Sequence, residues 1–271
     1  MKYADIDWNR LWQEERRQKS WRRKKKKDWD KRANSFAKRT AGSDFSDLLL
    51  AMIAPPAGTS VLDVGCGPGT MAIPLARLGL TVTAMDFSEQ MLAQLSSRAA
   101  VANLETITTI HGSWTDDWQE LGVGRHDLVL AARSLAVEDL RGALEKMVAW
   151  ARQEIVIVDR VGPGPFDPEL FAALGRPFEP GPDFVFTMNI LFQMGVTPRL
   201  DYLEFDQQRR YADRQEAMDG CGWMVDDLSD AEQQKLAAYV DERLSSNSDG
   251  TVTLTRSKPV KWAVIRWNVH E

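Results

Sequence analysis

Residues 61–69 read Val61-Leu62-Asp63-Val64-Gly65-Cys66-Gly67-Pro68-Gly69, and no other stretch of this 271-residue chain restricts its fold as tightly. Val61 to Val64 mix β-branched and apolar types around one acid, which suits a short buried parallel strand. Three glycines then alternate with Cys66 and Pro68, and an apolar-periodic run begins at Met71. Strand, glycine turn and helix in succession leave bare backbone at the carboxyl end of a sheet, where a ligand can come close. The spacing is G-x-G-x-G. A dinucleotide site would carry G-x-G-x-x-G, so NAD is not the expected ligand.

Strands and helices alternate from there. Strand 61–65 leads to helix 70–78, then strand 81–85 ends in Asp86, and Ser88 can cap a helix through Met91 and Leu95. Strand 106–110 runs into His111 and Gly112, strand 127–131 into Arg133 and Ser134, and strand 154–158 into Asp159 after helix 140–151. Five strands in this rhythm demand a parallel sheet with right-handed crossovers. Beyond Val161 the pattern breaks: residues 162–182 hold six prolines and four glycines, with a short helical piece at 168–174. The dense apolar run 184–194 either fills core or roofs a site at the sheet edge. Residues 199–205 have strand character that can continue through Tyr211, 230–244 reads as helix, 245–250 as turn, and 261–269 alternates with period two.

The run LDVGCGPG resembles the first motif of the class I S-adenosylmethionine-dependent methyltransferases almost letter for letter. The resemblance covers residues 45–160 well and 200–268 loosely. It implies an α/β fold with a seven-stranded, mostly parallel sheet, helices on both faces, and an antiparallel last strand (262–267) inserted beside the sixth (200–205). It also implies S-adenosylmethionine as cofactor, S-adenosylhomocysteine as product, and methyl transfer by in-line displacement.

Site residues follow from the same resemblance. Gly65, Cys66, Gly67 and Gly69 would receive the methionine and ribose portion, and Asp63 its amino end. Asp86, 21 residues after Gly65, can accept both ribose hydroxyls, with Phe87 and Met91 flanking adenine. Many members carry an acid after the glycine at position 112; here Ser113 and Trp114 stand there, so the adenine contact comes from hydroxyl, backbone or indole, unless Trp114 only packs the loop. Arg133 and Ser134 would neighbour the methionine moiety or the acceptor. Displacement from a sulfonium needs a base only where the acceptor must lose a proton early. Glu138 and Asp139 are candidates for that task, and His111 a third, although a lone histidine at a strand end is more often structural. No metal site is expected.

Composition bears on the remainder. Residues 1–39 carry 15 Lys and Arg against 6 Asp and Glu, a balance of +9, whereas the other residues sum to −14. Residues 7–41 lack proline and glycine and read as one helix, with Arg22-Arg23-Lys24-Lys25-Lys26-Lys27 at its centre. That run is either a solvated face or a contact for nucleic acid or an anionic membrane. The chain therefore divides into a basic arm and lid (1–44) and a cofactor-binding domain (45–271) with a substrate-side insertion at about 162–198. Trp29 and Phe36 lie on one helical face, and residues 29–39 resemble the lid of small-molecule members, which closes over the cofactor. On that reading, removing residues 1–27 leaves cofactor binding within a few-fold. Two cysteines, no apolar run of membrane length and no leader segment point to a cytoplasmic protein. The acceptor expected is a small, partly apolar metabolite. RNA or another polyanion recruited through residues 16–27 is the alternative, and a non-catalytic cofactor-binding protein a third reading.

Overall fold

The computed structural model describes residues 2–18, 26–40 and 44–271. Two arm helices, α1 (Trp8–Gln18) and α2 (Lys26–Thr40), precede α3 (Phe45–Ile53). The expectation of one continuous arm helix falls partly on residues 19–25, and the side chains of the basic run 22–27 also lie outside the described residues. Ala54 in left-handed conformation ends α3 ahead of Pro55 and Pro56.

The Rossmann-like core then builds as the alternation requires. Strands β1 (Ser60–Val64), β2 (Thr81–Asp86), β3 (Ile107–His111), β4 (His126–Ala132) and β5 (Ala151–Arg160) are parallel, with α4 (Ala72–Arg77), α5 (Glu89–Val101) and α6 (Leu140–Trp150) in the connections. Ser88 caps α5, its hydroxyl accepting the Met91 amide at 3.2 Å. Helices α7 (Pro168–Leu174) and α8 (Phe184–Gln193) follow, then strand β6 (Arg199–Glu204). The last strand, labelled β10 (Lys261–Asn268), pairs antiparallel with both β5 and β6, giving the order β3-β2-β1-β4-β5-β10-β6. The antiparallel last strand falls where the sequence placed it.

Each sheet face has its own core. On β5, Ile155 and Ile157 enter one cluster while Val156 and Val158 enter the other. Strand β10 divides the same way: Trp262 and Val264 go to one side, Ala263, Ile265 and Trp267 to the other. Its strict alternation is thus not a wet face against a dry one. Both faces are covered by helices, as an interior strand of an α/β sheet requires.

Two elements depart from the sequence reading. The strand from Arg199 does not run through Tyr211. It stops at Glu204, and residues Gln208–Tyr211 (β7) belong to a second, antiparallel sheet with β8 (Leu244–Ser246) and β9 (Val252–Thr255), ordered β7-β9-β8. With α7, α9 (Arg214–Gly222) and α10 (Asp230–Arg243) this sheet encloses a third core around Leu170, Phe171, Tyr239 and Val240. The apolar run 184–194 is helix α8, packed on α1 and α6 with Ile190 and Leu191 fully buried. It fills core and does not roof the cavity described below. Among the described residues no helix is long and apolar enough to cross a membrane.

Candidate active site

In the order β3-β2-β1-β4-β5 the sheet reverses direction of growth between β1 and β4, and the carboxyl ends diverge there to leave a crevice. A cavity of 1990 Å³ opens at that point and continues under the C-terminal subdomain. The turn after β1 forms its floor. Gly65 adopts φ +70°, and a Cβ on it would stand 2.4 Å from the Ser134 Cβ. Only glycine lets the two strand ends come together, and Ser134 Oγ closes the join by donating to Val64 O at 2.5 Å. Gly67, also left-handed, faces the cavity, with Phe36 Cε1 the nearest atom to a built Cβ at 3.9 Å. Gly69 is different. It faces Leu95 and Ile73 and does not line the cavity, so the structure gives it a packing role.

Two carboxylates stand over this floor. Asp63, on β1, is 1% exposed, and its Oδ2 has no hydrogen-bond partner. Burial and then the Asp86 charge push its carboxyl up to about 7, opposed by a backbone amide at Ala72. Asp86, at the end of β2, accepts the Gly67 amide at Oδ2 (2.8 Å) and the Ser88 amide at Oδ1 (2.9 Å). Burial raises its pKa, and those two amides work against the rise. Each Asp86 oxygen keeps a second lone pair for another donor.

Of the residues singled out in the sequence, Asp63, Gly65, Cys66, Gly67, Asp86, Phe87, Met91, Ser113, Trp114, Arg133 and Ser134 line this one cavity, as do Trp29 and Phe36 of α2. The last two meet edge to face with centroids 5.8 Å apart. Helix α2 packs on α5, and the Ser88 hydroxyl donates to Asp30 Oδ1 at 2.6 Å. The Trp114 indole is already committed, donating to Ser134 O at 3.2 Å, and Ser113 is bonded as well: its amide donates to Asp116, its carbonyl accepts the Trp118 indole, and its hydroxyl meets the Thr115 hydroxyl at 2.9 Å. Arg133 has φ +62°, and its guanidinium lies 3.9 Å from the Phe45 ring centroid.

The candidate bases separate. His111 lies outside the cavity wall, its Nε2 3.1 Å from Phe87 O. Asp139 reaches the wall, yet its side chain caps α6 by accepting the Gly142 amide at 3.0 Å. Glu138 also lines the cavity and faces Arg17 at 3.9 Å. A carboxylate missed at the sheet edge is Asp159, at the end of β5. It lines the cavity, accepts the Thr187 hydroxyl at 2.9 Å, and burial raises its pKa, opposed by the Arg160 amide, by Thr187 and by the Arg160 charge. Its position at a strand terminus was the available signal.

Trp12 and Arg16 of α1 were missed as well. Both line the cavity and are 3% and 9% exposed, so α1 is part of the cavity wall. On the far side the wall comes from the C-terminal subdomain through Phe166, Met218, Trp223 and neighbouring polar residues. Phe166 and Trp223 stack at a tilt with centroids 5.5 Å apart.

Comparison with known proteins follows the same outline. A family model described as a methyltransferase domain matches residues 61–154. An uncharacterized protein of Haemophilus influenzae is 34% identical over 247 residues, 89% of this chain and 88% of its own length. A 23S rRNA (uracil(1939)-C(5))-methyltransferase from a Shewanella species is 36% identical over 101 residues, 36% of this chain but 22% of that enzyme. A crystal structure from Bacillus halodurans, provisionally assigned as a methyltransferase, superposes with a TM-score of 0.57 at 12% identity, covering 84% of this chain and 99% of the other.

Proposed function

Because the chain belongs to the class I S-adenosylmethionine-dependent methyltransferases, with S-adenosylmethionine as its cofactor, we propose that its methyl acceptor is a small, partly apolar metabolite held at the carboxyl edge of the sheet. When bound, the cofactor supplies an electrophilic methyl group on a cationic sulfur. The residues at the β1–β4 crevice fit it. The unpartnered Asp63 oxygen would take the amino group, since a buried carboxylate without a partner is costly until a cation reaches it. Asp86 would use its remaining lone pairs on the ribose diol, held in place by the Gly67 and Ser88 amides. Gly65, Cys66 and Gly67 would lie against the methionine end, and Phe87, Met91 and Ser113 at the adenine. Trp29 and Phe36 would exclude water, with residues 1–44 acting as a covering arm on the 45–271 domain.

The charge of the wall carries the choice of acceptor. Among the described residues, nine carboxylates line the cavity, against five Lys and Arg. A site for a phosphodiester chain needs the opposite balance, because phosphate contacts dominate nucleic-acid affinity. At 1990 Å³ the cavity also exceeds the roughly 300–1,000 Å³ of a single-ligand pocket, leaving room for a second small molecule beside the cofactor. Phe166, Met218, Trp223 and Trp262 supply apolar surface for it. The two cysteines, Cys66 and Cys221, are free and buried, which supports a reducing cytoplasmic location.

The test uses methyl-labelled S-adenosylmethionine, purified protein and a nuclease-free cell extract divided into total RNA and metabolites of low mass. Label is expected in the low-mass fraction. Label in RNA would overturn this reading in favour of the polyanion one, and no transfer to either fraction would favour a cofactor-binding protein without catalysis.

A further inference from the structure

The stretch 133–139, between β4 and α6, forms a continuous part of the cavity wall with no repeating backbone structure. Carbonyls in such a stretch need donors from elsewhere if they are removed from water. Ser134 O receives the Trp114 indole. Two more, Val137 O and Ala136 O, are served by one helix, α1. Trp12 Nε1 donates to Val137 O at 2.9 Å, and Arg16 Nη2 donates to Ala136 O at 2.9 Å. Asn9 works in both directions: its Nδ2 donates to Asp139 Oδ1 at 2.9 Å, and its Oδ1 accepts the Arg141 amide at 3.0 Å. Arg17 faces Glu138 from the same helix.

Helix α1 is itself fastened from behind, so it can act as a rigid support. Trp8 and Trp12 meet Phe186 edge-on at 6.0 and 6.1 Å, Tyr3 donates to Asn189 O at 2.9 Å, and Gln193 donates to Ile6 O at 2.8 Å. Arg16 lies over the Trp12 ring at 5.3 Å, which fixes the donor that reaches Ala136. The chain therefore runs α8 to α1 to residues 133–139, each link made of named bonds.

We propose that α1 is the template that shapes the post-β4 wall of the active site, with Asn9, Trp12 and Arg16 as positioning residues. This rests on the proposed use of the cavity by cofactor and acceptor. The residues do not act on the acceptor themselves. They hold Arg133 to Asp139 in the one arrangement that leaves the crevice open beside Ser134, and a loop without them samples others.

Two measurements on the full-length chain test this. Amide hydrogen exchange, without ligand, compares wild type with the Asn9→Ala/Arg16→Met double variant. Faster exchange confined to residues 134–141, with β2 and the C-terminal subdomain unchanged, is expected. Calorimetry with S-adenosylhomocysteine should show the variant weaker by about five- to thirtyfold, the effect of losing two or three positioning hydrogen bonds. Arg16→Lys alone, which keeps a donor on a stem of similar length, should bind within about threefold of wild type, since a single weakened hydrogen bond is worth about a kcal/mol at most. Should the double variant fail to fold, Trp12→Phe removes the donor to Val137 together with part of the buried ring, keeps an aromatic against Phe186, and is read the same way. Unchanged exchange at 134–141 overturns the proposal. So does unchanged affinity in a variant whose wild type binds. A wild type that binds no S-adenosylhomocysteine would instead count against the proposed function, and the exchange comparison would still decide the role of α1.

Discussion

Asp86 Oδ2 accepts the Gly67 amide hydrogen at 2.8 Å, so the carboxylate ending β2 is tied to the glycine turn that follows β1. The other oxygen holds the Ser88 amide at the start of α5. The residue proposed to hold the ribose is thus also the acceptor that joins three segments of the site.

Asp86→Ala therefore has two expected effects. Loss of charge-assisted bonds to the ribose should cost roughly 2–4 kcal/mol of S-adenosylhomocysteine affinity. Leaving the Gly67 and Ser88 amides unpaired should also lower stability, by about 1–3 kcal/mol for each amide that water does not reach. Calorimetry and thermal melting measure the two separately. An unchanged dissociation constant would remove Asp86 from the ribose site.

The raised pKa of Asp63 sets a pH dependence with a definite sign. Its folded value of about 7 lies above the unfolded value, so the folded state binds the proton more tightly. Between pH 4 and 7 the empty protein should lose stability as pH rises, and above 7 this contribution should stay constant. Asp86 and Asp159, also raised by burial, act in the same direction. Affinity for S-adenosylhomocysteine should run the other way, weakening below pH 7 as Asp63 protonates and loses its attraction for the amino group. In Asp63→Asn the affinity should be low and nearly flat over this range. A wild-type affinity independent of pH from 5 to 8 would contradict the pairing.

Gly65→Ala places a methyl against Ser134 at a left-handed position and should destabilise the protein by roughly 2–5 kcal/mol, with cofactor binding lost. Gly124→Ala is the control. A Cβ there meets nothing within 4 Å, and the midpoint of thermal unfolding should stay or rise slightly. Equal melting of the two variants would show that the β1–β4 contact is not as tight as described.

Asp167 anchors the C-terminal subdomain. It accepts the Tyr239 hydroxyl at 2.8 Å and lies 3.3 Å from Arg256 Nε, while Arg256 also donates to Pro165 O and Phe166 O. Tyr239→Phe should cost about 1 kcal/mol and Asp167→Ala about 3–5, because the second strands a largely buried guanidinium. Urea unfolding measures both. Equal, small effects would mean that water already reaches the network.

How much of this was legible in the sequence depended on the range over which each feature is decided. The strand–turn–helix at 61–77, the acid ending β2, the cap at Ser88 and the alternation of β10 are local: each needs a particular residue type within a few positions, so composition records it. The placing of Trp29 and Phe36 of α2 together at the cavity was legible for the same reason, the two being two turns apart on one face. Other features have no local trace. β7, β8 and β9 are three or four residues long, and β7 reads Gln-Arg-Arg-Tyr, which carries no period until a partner strand and α9 bury Tyr211. An apolar run such as 184–194 suits a core or a roof equally, and only the packing of α1 and α6 decided for core. Arg16 reads as one more charge in a basic arm. Its carbonyl partner, Ala136, is 120 residues away, and nothing near Arg16 in the chain says that the backbone there will need a donor. The sequence alone determined the alternation of strands and helices and the glycine turn, because periodicity and turn chemistry act over short spans, and its resemblance to the methyltransferase family supplied the order of the sheet and the cofactor. Tertiary structure decided which side chains wall the cavity, because burial of a polar group is settled by the partner that folding brings to it.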